Sequence, residues 1–378
     1  MKVAKIIIGI LFFAVLASNI LAISRWNESR GVYDDVCYLR QAHLFQRFGL
    51  SGLDTDIARD DDRYLAHKLR DIGYPPWNDP SKAPCHTPME KTKKLVLQYP
   101  PGTGAVLALF PAGFQVIPLY VAANIFIAAF ALLALRRASS PQKVALAAIF
   151  GLAAIYLMIN PTKASYSVAP TMMVCALAGF LTARLFLSSS SRARLLLAIV
   201  VGILLGLSSA FRLPNLLLSA GYCIFLLVAF LMARSKQTFV EGLMFGMAFL
   251  IGNVPTLAAN WINAGSPFAT TYGGSDTLPP ALDVATLRSY LVDVQFFLLL
   301  AALAWTAAIW RQPGARQAVL VVAANLAVNI VFFMTHPLFT PYYTIPIAML
   351  SLWTLLFVTL ATGETAADNR AAVQPASA

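Results

Sequence analysis

Apolar runs of about membrane-spanning length alternate with short polar connections along this chain, and one long polar stretch interrupts them near the start. A transmembrane helix needs roughly 17 to 25 predominantly apolar residues. Ten runs meet or approach that requirement: 6–24, 114–135, 144–158, 169–187, 195–211, 213–232, 239–261, 291–310, 318–335 and 342–360. The pattern predicts an all-α polytopic membrane protein with one membrane-embedded domain over 1–360 and a polar, disordered tail over 361–378. The long polar stretch, 25–98, becomes a large first loop. Residues 1–22 also carry the marks of a cleaved signal peptide, with Lys2 and Lys5, an apolar core, and small residues near Ala17 and Ala22. Cleavage would change the helix count and leave the loop where it is.

Inside the loop the period changes. At about 100° per residue, Cys37, Tyr38, Ala42, Leu44, Phe45 and Phe48 share one side of a helix over 34–48, while Arg40, His43, Gln46 and Arg47 share the other. Such a segment suits a helix lying on a membrane surface. Its phase puts Asp34 on the stripe of Tyr38, Gln41 and Phe45, facing the bundle, and turns Asp35 away. Further on, Pro100, Pro101, Pro111, Pro118, Gly102, Gly104 and Gly113 break an apolar run. Non-helical backbone at membrane depth survives only where protein or a watery cavity satisfies it, so an interfacial or partly re-entrant helix over 103–110 is expected to line a cavity.

Charge supplies the orientation. One set of connections carries Lys2, Lys5, Arg136, Arg137, Lys143, Arg184, Arg192, Arg194, Arg234, Lys236, Arg311, Arg316 and Arg370; the short connections of the other set carry only Lys163, Arg212 and Arg288. Lys and Arg in short loops favour the cytoplasm. Both termini are therefore expected there, in a cell membrane, with the large loop outside.

Hydrophobic residues make up 58% of the chain and charged residues 12%, with a mean hydropathy of +0.69, which excludes an ordinary soluble protein. The net charge of +11 sits mostly between spans, and no basic stripe with interleaved aromatics points to nucleic acid. Of the 17 acidic residues, 11 fall within the first loop, so carboxylate chemistry is sought there. Asp34 and Asp35 serve equally well as cap and first-turn acid of their helix, or as functional acids held near lipid. Asp54, Asp56, Asp60, Asp61 and Asp62 read chiefly as a solvated turn paired with Arg59, Arg63 and Lys68, although Asp54-Thr55-Asp56 has the form of a metal-holding DxD. The four Cys show no zinc spacing, and no metal site is assigned, though the sequence leaves open a divalent cation. Cys37 and Cys85 would form a disulfide in an oxidising space if the fold brings them together. Lys91, Lys93 and Lys94, just before Tyr99, suit either anionic headgroups or a lipid-phosphate substrate. Arg212, between two spans at the outer face, has the same two uses, and His336, Tyr342 and Tyr343 mark the last outer turn as cavity-lining or interfacial aromatics.

A first helix followed by Tyr33-Asp34-Asp35-Val36-Cys37-Tyr38-Leu39-Arg40-Gln41-Ala42, then Tyr99-Pro100-Pro101-Gly102, resembles the GT-C superfamily of membrane glycosyltransferases, in particular its protein mannosyltransferase and aminoarabinose transferase branch. The segment from Asn260 to Tyr272 is similar to bacterial members. The resemblance implies a polyprenyl-phosphate sugar donor, a glycan, lipid or protein acceptor, reaction on the outer face, and inversion at the anomeric carbon. It makes Asp34 the catalytic base; the reading of the residues themselves adds Asp35 as a helper, Lys93, Lys94 or Arg212 for the phosphate, and Tyr38, Tyr99, His336 and Tyr342 as candidates around the substrate. The chain departs from the aminoarabinose branch at Cys37, where that branch has arginine, and at Tyr99, where it has lysine. Two other readings stand beside it. A transporter or flippase would place ionisable groups at the midplane, whereas Glu241 and Asp293 lie near span ends. A non-catalytic assembly protein of an envelope polysaccharide pathway would use the acids only as caps.

Overall fold

The computed structural model describes residues 1–27, 33–158, 165–273, 278–312, 314–340 and 342–362; Lys163 and the tail from 363 onward lie outside the described residues. The chain opens with α1 (Lys2–Ser24). An outer layer follows, made of α2 (Tyr33–Phe48), α3 (Tyr64–Asp71), a hairpin of β1 (His86–Met89) and β2 (Lys94–Leu97), and α4 (Gly102–Leu107). The bundle then continues through α5 (Val116–Arg137), α6 (Pro141–Leu157), α7 (Val168–Leu187), α8 (Ser191–Ser209), α9 (Ala220–Ala233), α10 (Lys236–Ala264), α11 (Val284–Leu291), α12 (Val294–Ile309), α13 (Arg316–Thr335) and α14 (Ile345–Ala361). Among the described residues six of these, α1, α5, α7, α8, α10 and α13, together with the segment Leu213–Ala233, make 7 helices long and apolar enough to cross a membrane. The protein is a predominantly helical, multi-pass membrane protein.

Burial sorts the apolar helices by place. In α1 only Phe12, Leu16, Asn19 and Ile23 are buried, while Ile6, Ile7, Ile10 and Phe13 face outward as lipid-facing residues do. In α14 every residue from Pro346 to Val358 is buried, as expected of a helix that is apolar all round. It forms the axis of the bundle. Trp353 meets Phe130 and Phe150 edge-on and stacks with Phe357 there. Inside the bundle Asn19 donates to Asn124 Oδ1 at 2.8 Å and to the carbonyl of Ile155 at 2.7 Å.

One expected span is broken and another starts late. The run 213–232 starts as a 3-10 helix, Leu213–Ser219, before α9 begins. The run 291–310 is α12, which starts only at Val294 because Asp293 caps it by accepting from the Gln295 N–H at 2.9 Å; α11 precedes it, and the two helices are bent by 75°.

The helix over 34–48 is covered along much of its length, with Gln46 and Arg47 exposed at its end. Tyr38, Leu39 and Ala42 join the bundle core, while Val36 packs with Leu65 and Leu69 of α3 in a small core of the outer layer. Between the two, Arg40 is fully buried. It donates to the carbonyls of Thr55 (2.9 Å) and Asp56 (2.8 Å), and its Nη1 lies 3.1 Å from His86 Nε2. The acidic turn pairs with this helix: Asp60 lies 3.6 Å from Arg40, Asp62 2.6 Å from His43 and Asp61 2.6 Å from Arg47. Asp54 pairs with Lys94 at 3.0 Å, and Asp56 caps the next turn through the Ala58 N–H. Cys37 and Cys85 are bonded in a disulfide that ties α2 to the start of the hairpin.

Candidate functional site

Under the outer layer lies a cavity of about 560 Å³. Its walls come from every part of the chain: Asp34 and Tyr38 from α2, Gln98 and Tyr99 from the end of the hairpin, Arg212 to Leu217 from the broken span, Thr270 and Tyr272 after α10, and Phe332 to Tyr343 around the last outer turn.

The broken span is held open by side chains that replace the missing helical bonds. Asn215 donates to the Ser208 carbonyl (2.8 Å) and to the Thr171 hydroxyl (3.1 Å). Asn325 donates to the Leu218 carbonyl (2.7 Å) and accepts from the Gly221 N–H (2.9 Å), and Asn329 donates to the Leu217 carbonyl (3.0 Å). The motif at 99–103 closes the other side. The Gly102 N–H donates to the Ala210 carbonyl (2.7 Å) and the Thr103 hydroxyl to that of Phe211 (3.3 Å). A Cβ on Gly102 would stand 2.7 Å from the Ala210 oxygen, so only glycine allows this approach. Irregular backbone at membrane depth is stable because protein groups satisfy it in this way.

The break delivers Arg212. Its backbone is extended, and the residue is 6% exposed. The guanidinium carbon lies 4.4 Å from the centre of the Tyr342 ring and 5.2 Å from that of Tyr343, and Nη1 donates to the Tyr342 carbonyl at 3.3 Å. Rings hold a guanidinium by cation–π attraction. Among the described residues no carboxylate forms an ion pair with it. A buried guanidinium at the wall of a cavity has the chemistry to hold an anion.

Across the same cavity stand Asp34 and a tyrosine cluster. The rings of Tyr38 and Tyr99 stack at 4.8 Å, and Tyr272 meets Tyr99 edge-on at 6.2 Å. The Thr271 hydroxyl donates to the Gln98 carbonyl (2.9 Å), which docks the 270–272 segment onto the hairpin end. Burial pushes the Tyr38 hydroxyl up to about 12, opposed by its bonds to Ser167 and Ser165 and by Arg212, and helped by Asp34. Burial likewise raises Tyr99, reinforced by Asp34, to which its hydroxyl is hydrogen-bonded, and raises Tyr342 despite Arg212. All three hydroxyls therefore stay protonated at ordinary pH. They remain hydrogen-bond donors.

Six of the residues singled out in the sequence, Asp34, Tyr38, Tyr99, Arg212, His336 and Tyr342, meet at this cavity. Three do not. Asp35 is 1% exposed and accepts from the Tyr166 N–H at 3.2 Å, behind the cavity wall. Lys93 is exposed in the hairpin turn, with a φ of 57°. Lys94 pairs with Asp54 and donates to the Ile262 carbonyl at 3.3 Å, and Lys91 donates to that of Gly265 at 2.6 Å. These two lysines satisfy the carbonyl end of α10, where cations are favoured. Gln98, Ser165, Thr270 and Tyr272 line the cavity without any motif that marks them, although Tyr272 ends the segment that resembles GT-C members.

Family models, curated proteins and solved structures contain no match to this chain. Among the described residues no group of three or more His, Cys, Asp or Glu is placed to hold a metal ion. What the cavity offers is a carboxylate, a buried guanidinium, neutral phenols and an apolar flank of Leu213, Leu216, Leu217 and Leu278. That set can accept a proton, hold an anion and shelter a lipid chain.

Proposed function

We propose that the protein is a GT-C-like membrane glycosyltransferase that moves a sugar from a polyprenyl-phosphate donor to an envelope glycan, lipid or protein acceptor. The observation that carries this reading is one cavity with Asp34 on one wall and the buried Arg212 on another. In this reaction the acceptor hydroxyl gives its proton to Asp34 as its oxygen bonds the anomeric carbon. The bond from that carbon to the phosphate oxygen breaks on the opposite face, which inverts the centre. The departing lipid phosphate is already a stable anion, so it needs a cation more than a proton donor. Arg212 supplies that charge, in place of the lysines expected from the sequence. A positioned base contributes about 10²- to 10⁴-fold, and the Tyr99 hydroxyl orients it. The leucine flank receives the first isoprene units.

In the same proposal the chain crosses the membrane ten times. Beyond the seven long helices, the bent pair α11–α12 counts as one span, and α6 and α14, each 17 residues, are the other two. Seventeen residues rise about 26 Å, near the lower limit for a hydrocarbon core of about 30 Å. The outer layer then faces away from the cytoplasm and both termini face it, with Lys5 near the Arg136 carbonyl (3.0 Å) at the basic end of the bundle. The test is Asp34→Asn. Mass spectrometry of envelope glycans from cells with and without the protein first identifies the product. The variant is then expected at normal abundance with transfer lowered at least 100-fold. Normal transfer by Asp34→Asn would remove the catalytic reading and favour a non-catalytic assembly protein.

A further inference from the structure

Gln295 stands at the start of α12 among apolar neighbours, Val294, Phe296, Phe297 and Leu298, and is fully buried. An amide buried in an apolar span is unfavourable unless its polar atoms are bonded. All of those bonds go to one place. Its carbonyl oxygen accepts from the Thr344 N–H and the Thr344 hydroxyl, both at 2.9 Å, and its NH₂ donates to the Thr340 carbonyl at 2.9 Å. Thr340 and Thr344 bound the short outer turn that carries Tyr342 and Tyr343. Those two rings bracket the Arg212 guanidinium, and the Tyr342 carbonyl takes its Nη1. Gln295 neither lines the cavity nor bonds Arg212.

We propose that Gln295 is a positioning residue for anion binding: by clasping Thr340 and Thr344 it fixes the tyrosine bracket that aims Arg212 into the cavity. The inference rests on the reading of Arg212 as the phosphate-binding cation. Arg212 is oriented by a carbonyl and two rings, and these depend on the turn. The clasp is itself anchored, because Asp293 accepts from the Gln295 N–H and sets the first turn of α12. Cavity, bracket and clasp thus form a chain of contacts from the α11–α12 bend to the anion.

The experiment measures binding of a short-chain polyprenyl monophosphate to the full-length protein in nanodiscs, with inorganic phosphate as competitor. Gln295→Leu is expected to weaken binding about tenfold or more, and Arg212→Ala by at least as much. In the Arg212→Ala background, Gln295→Leu is expected to change nothing further, because neighbours acting through one contact are non-additive whereas independent sites add. Gln295→Met keeps the length and volume of the side chain and loses the bonds to Thr340 and Thr344, so it reports the clasp where branched leucine disturbs the packing, and it is expected to weaken binding by a similar factor. Wild-type affinity in both Gln295 variants, or fully additive losses in the double variant, overturns the positioning role while leaving Arg212 intact. Unchanged binding in Arg212→Ala overturns the phosphate-site reading and this inference with it.

Discussion

His86 shows how a single neutral side chain keeps the outer layer closed. Burial, with the Arg40 charge beside it, lowers its pKa from the ordinary 6.5 to about 3, against the opposing effect of the Pro84 carbonyl. Its Nδ1–H donates to that carbonyl at 2.7 Å, which leaves Nε2 as the acceptor facing Arg40 Nη1 at 3.1 Å. A proton on Nε2 would set two donors against each other. The unfolded loop binds that proton near pH 6.5 and the folded loop only near pH 3, so between these values the unfolded form carries more protons. The contribution of His86 to stability is therefore complete above about pH 6.5 and is lost as the pH falls toward 3. Limited proteolysis of the outer layer is expected to accelerate through that window in the wild-type protein. His86→Gln should flatten the dependence. A pH-independent cleavage rate in the wild type would show that His86 does not gate the loop.

Among the elements, the disulfide has the most direct access to the site. Cys37 lies on α2 between Asp34 and Tyr38, and the Cys85 carbonyl accepts from the Gln98 N–H at 2.9 Å, beside the register pair His86 and Leu97. The bond therefore joins the wall that carries Asp34 and Tyr38 to the wall that carries Gln98 and Tyr99. It closes a chain segment of 48 residues. Removing such a link costs about 2–4 kcal/mol of loop stability. Changing both cysteines to serine, or reducing the bond with a dithiol, is expected to make the outer layer protease-sensitive and to lower transfer. The bundle should stay intact, since it is held separately by close helix contacts. Gly202 and Gly206 of α8 and Gly252 of α10 let those two helices cross backbone to backbone, and a Cβ on Gly202 would stand 2.6 Å from the Phe245 carbonyl. Unchanged protease resistance and unchanged transfer after loss of both sulfurs would make the bond incidental.

At the scale of the whole molecule, the seven long apolar helices were legible and the cavity only partly so, for a physical reason. Hydropathy reports how a segment meets lipid, so it found each apolar run, but it is blind to where a run breaks. The 3-10 start of the sixth run depends on Asn325 and Asn329, more than 100 residues away in the chain. Helical phase placed Asp34 and Tyr38 toward the bundle. It could not show that α2 would be covered from above, because Arg40, read as a solvent-facing residue, finds its partners among the carbonyls of Thr55 and Asp56. The acceptors of Lys91 and Lys94, carbonyls at the end of α10, were hidden for the same reason. The orientation of the bundle rests on Lys and Arg in the short connections, where the rule is strongest. Two exposed positions test it, Asp71 at the end of α3 and Gln142 in the first turn of α6. In intact cells a membrane-impermeant maleimide is expected to label Asp71→Cys and not Gln142→Cys, and to reach the second only after the membrane is opened. Labelling in the reverse order would put the cavity on the cytoplasmic side. A lipid-phosphate donor handled on the outer face would then be ruled out, whatever Asp34 and Arg212 do.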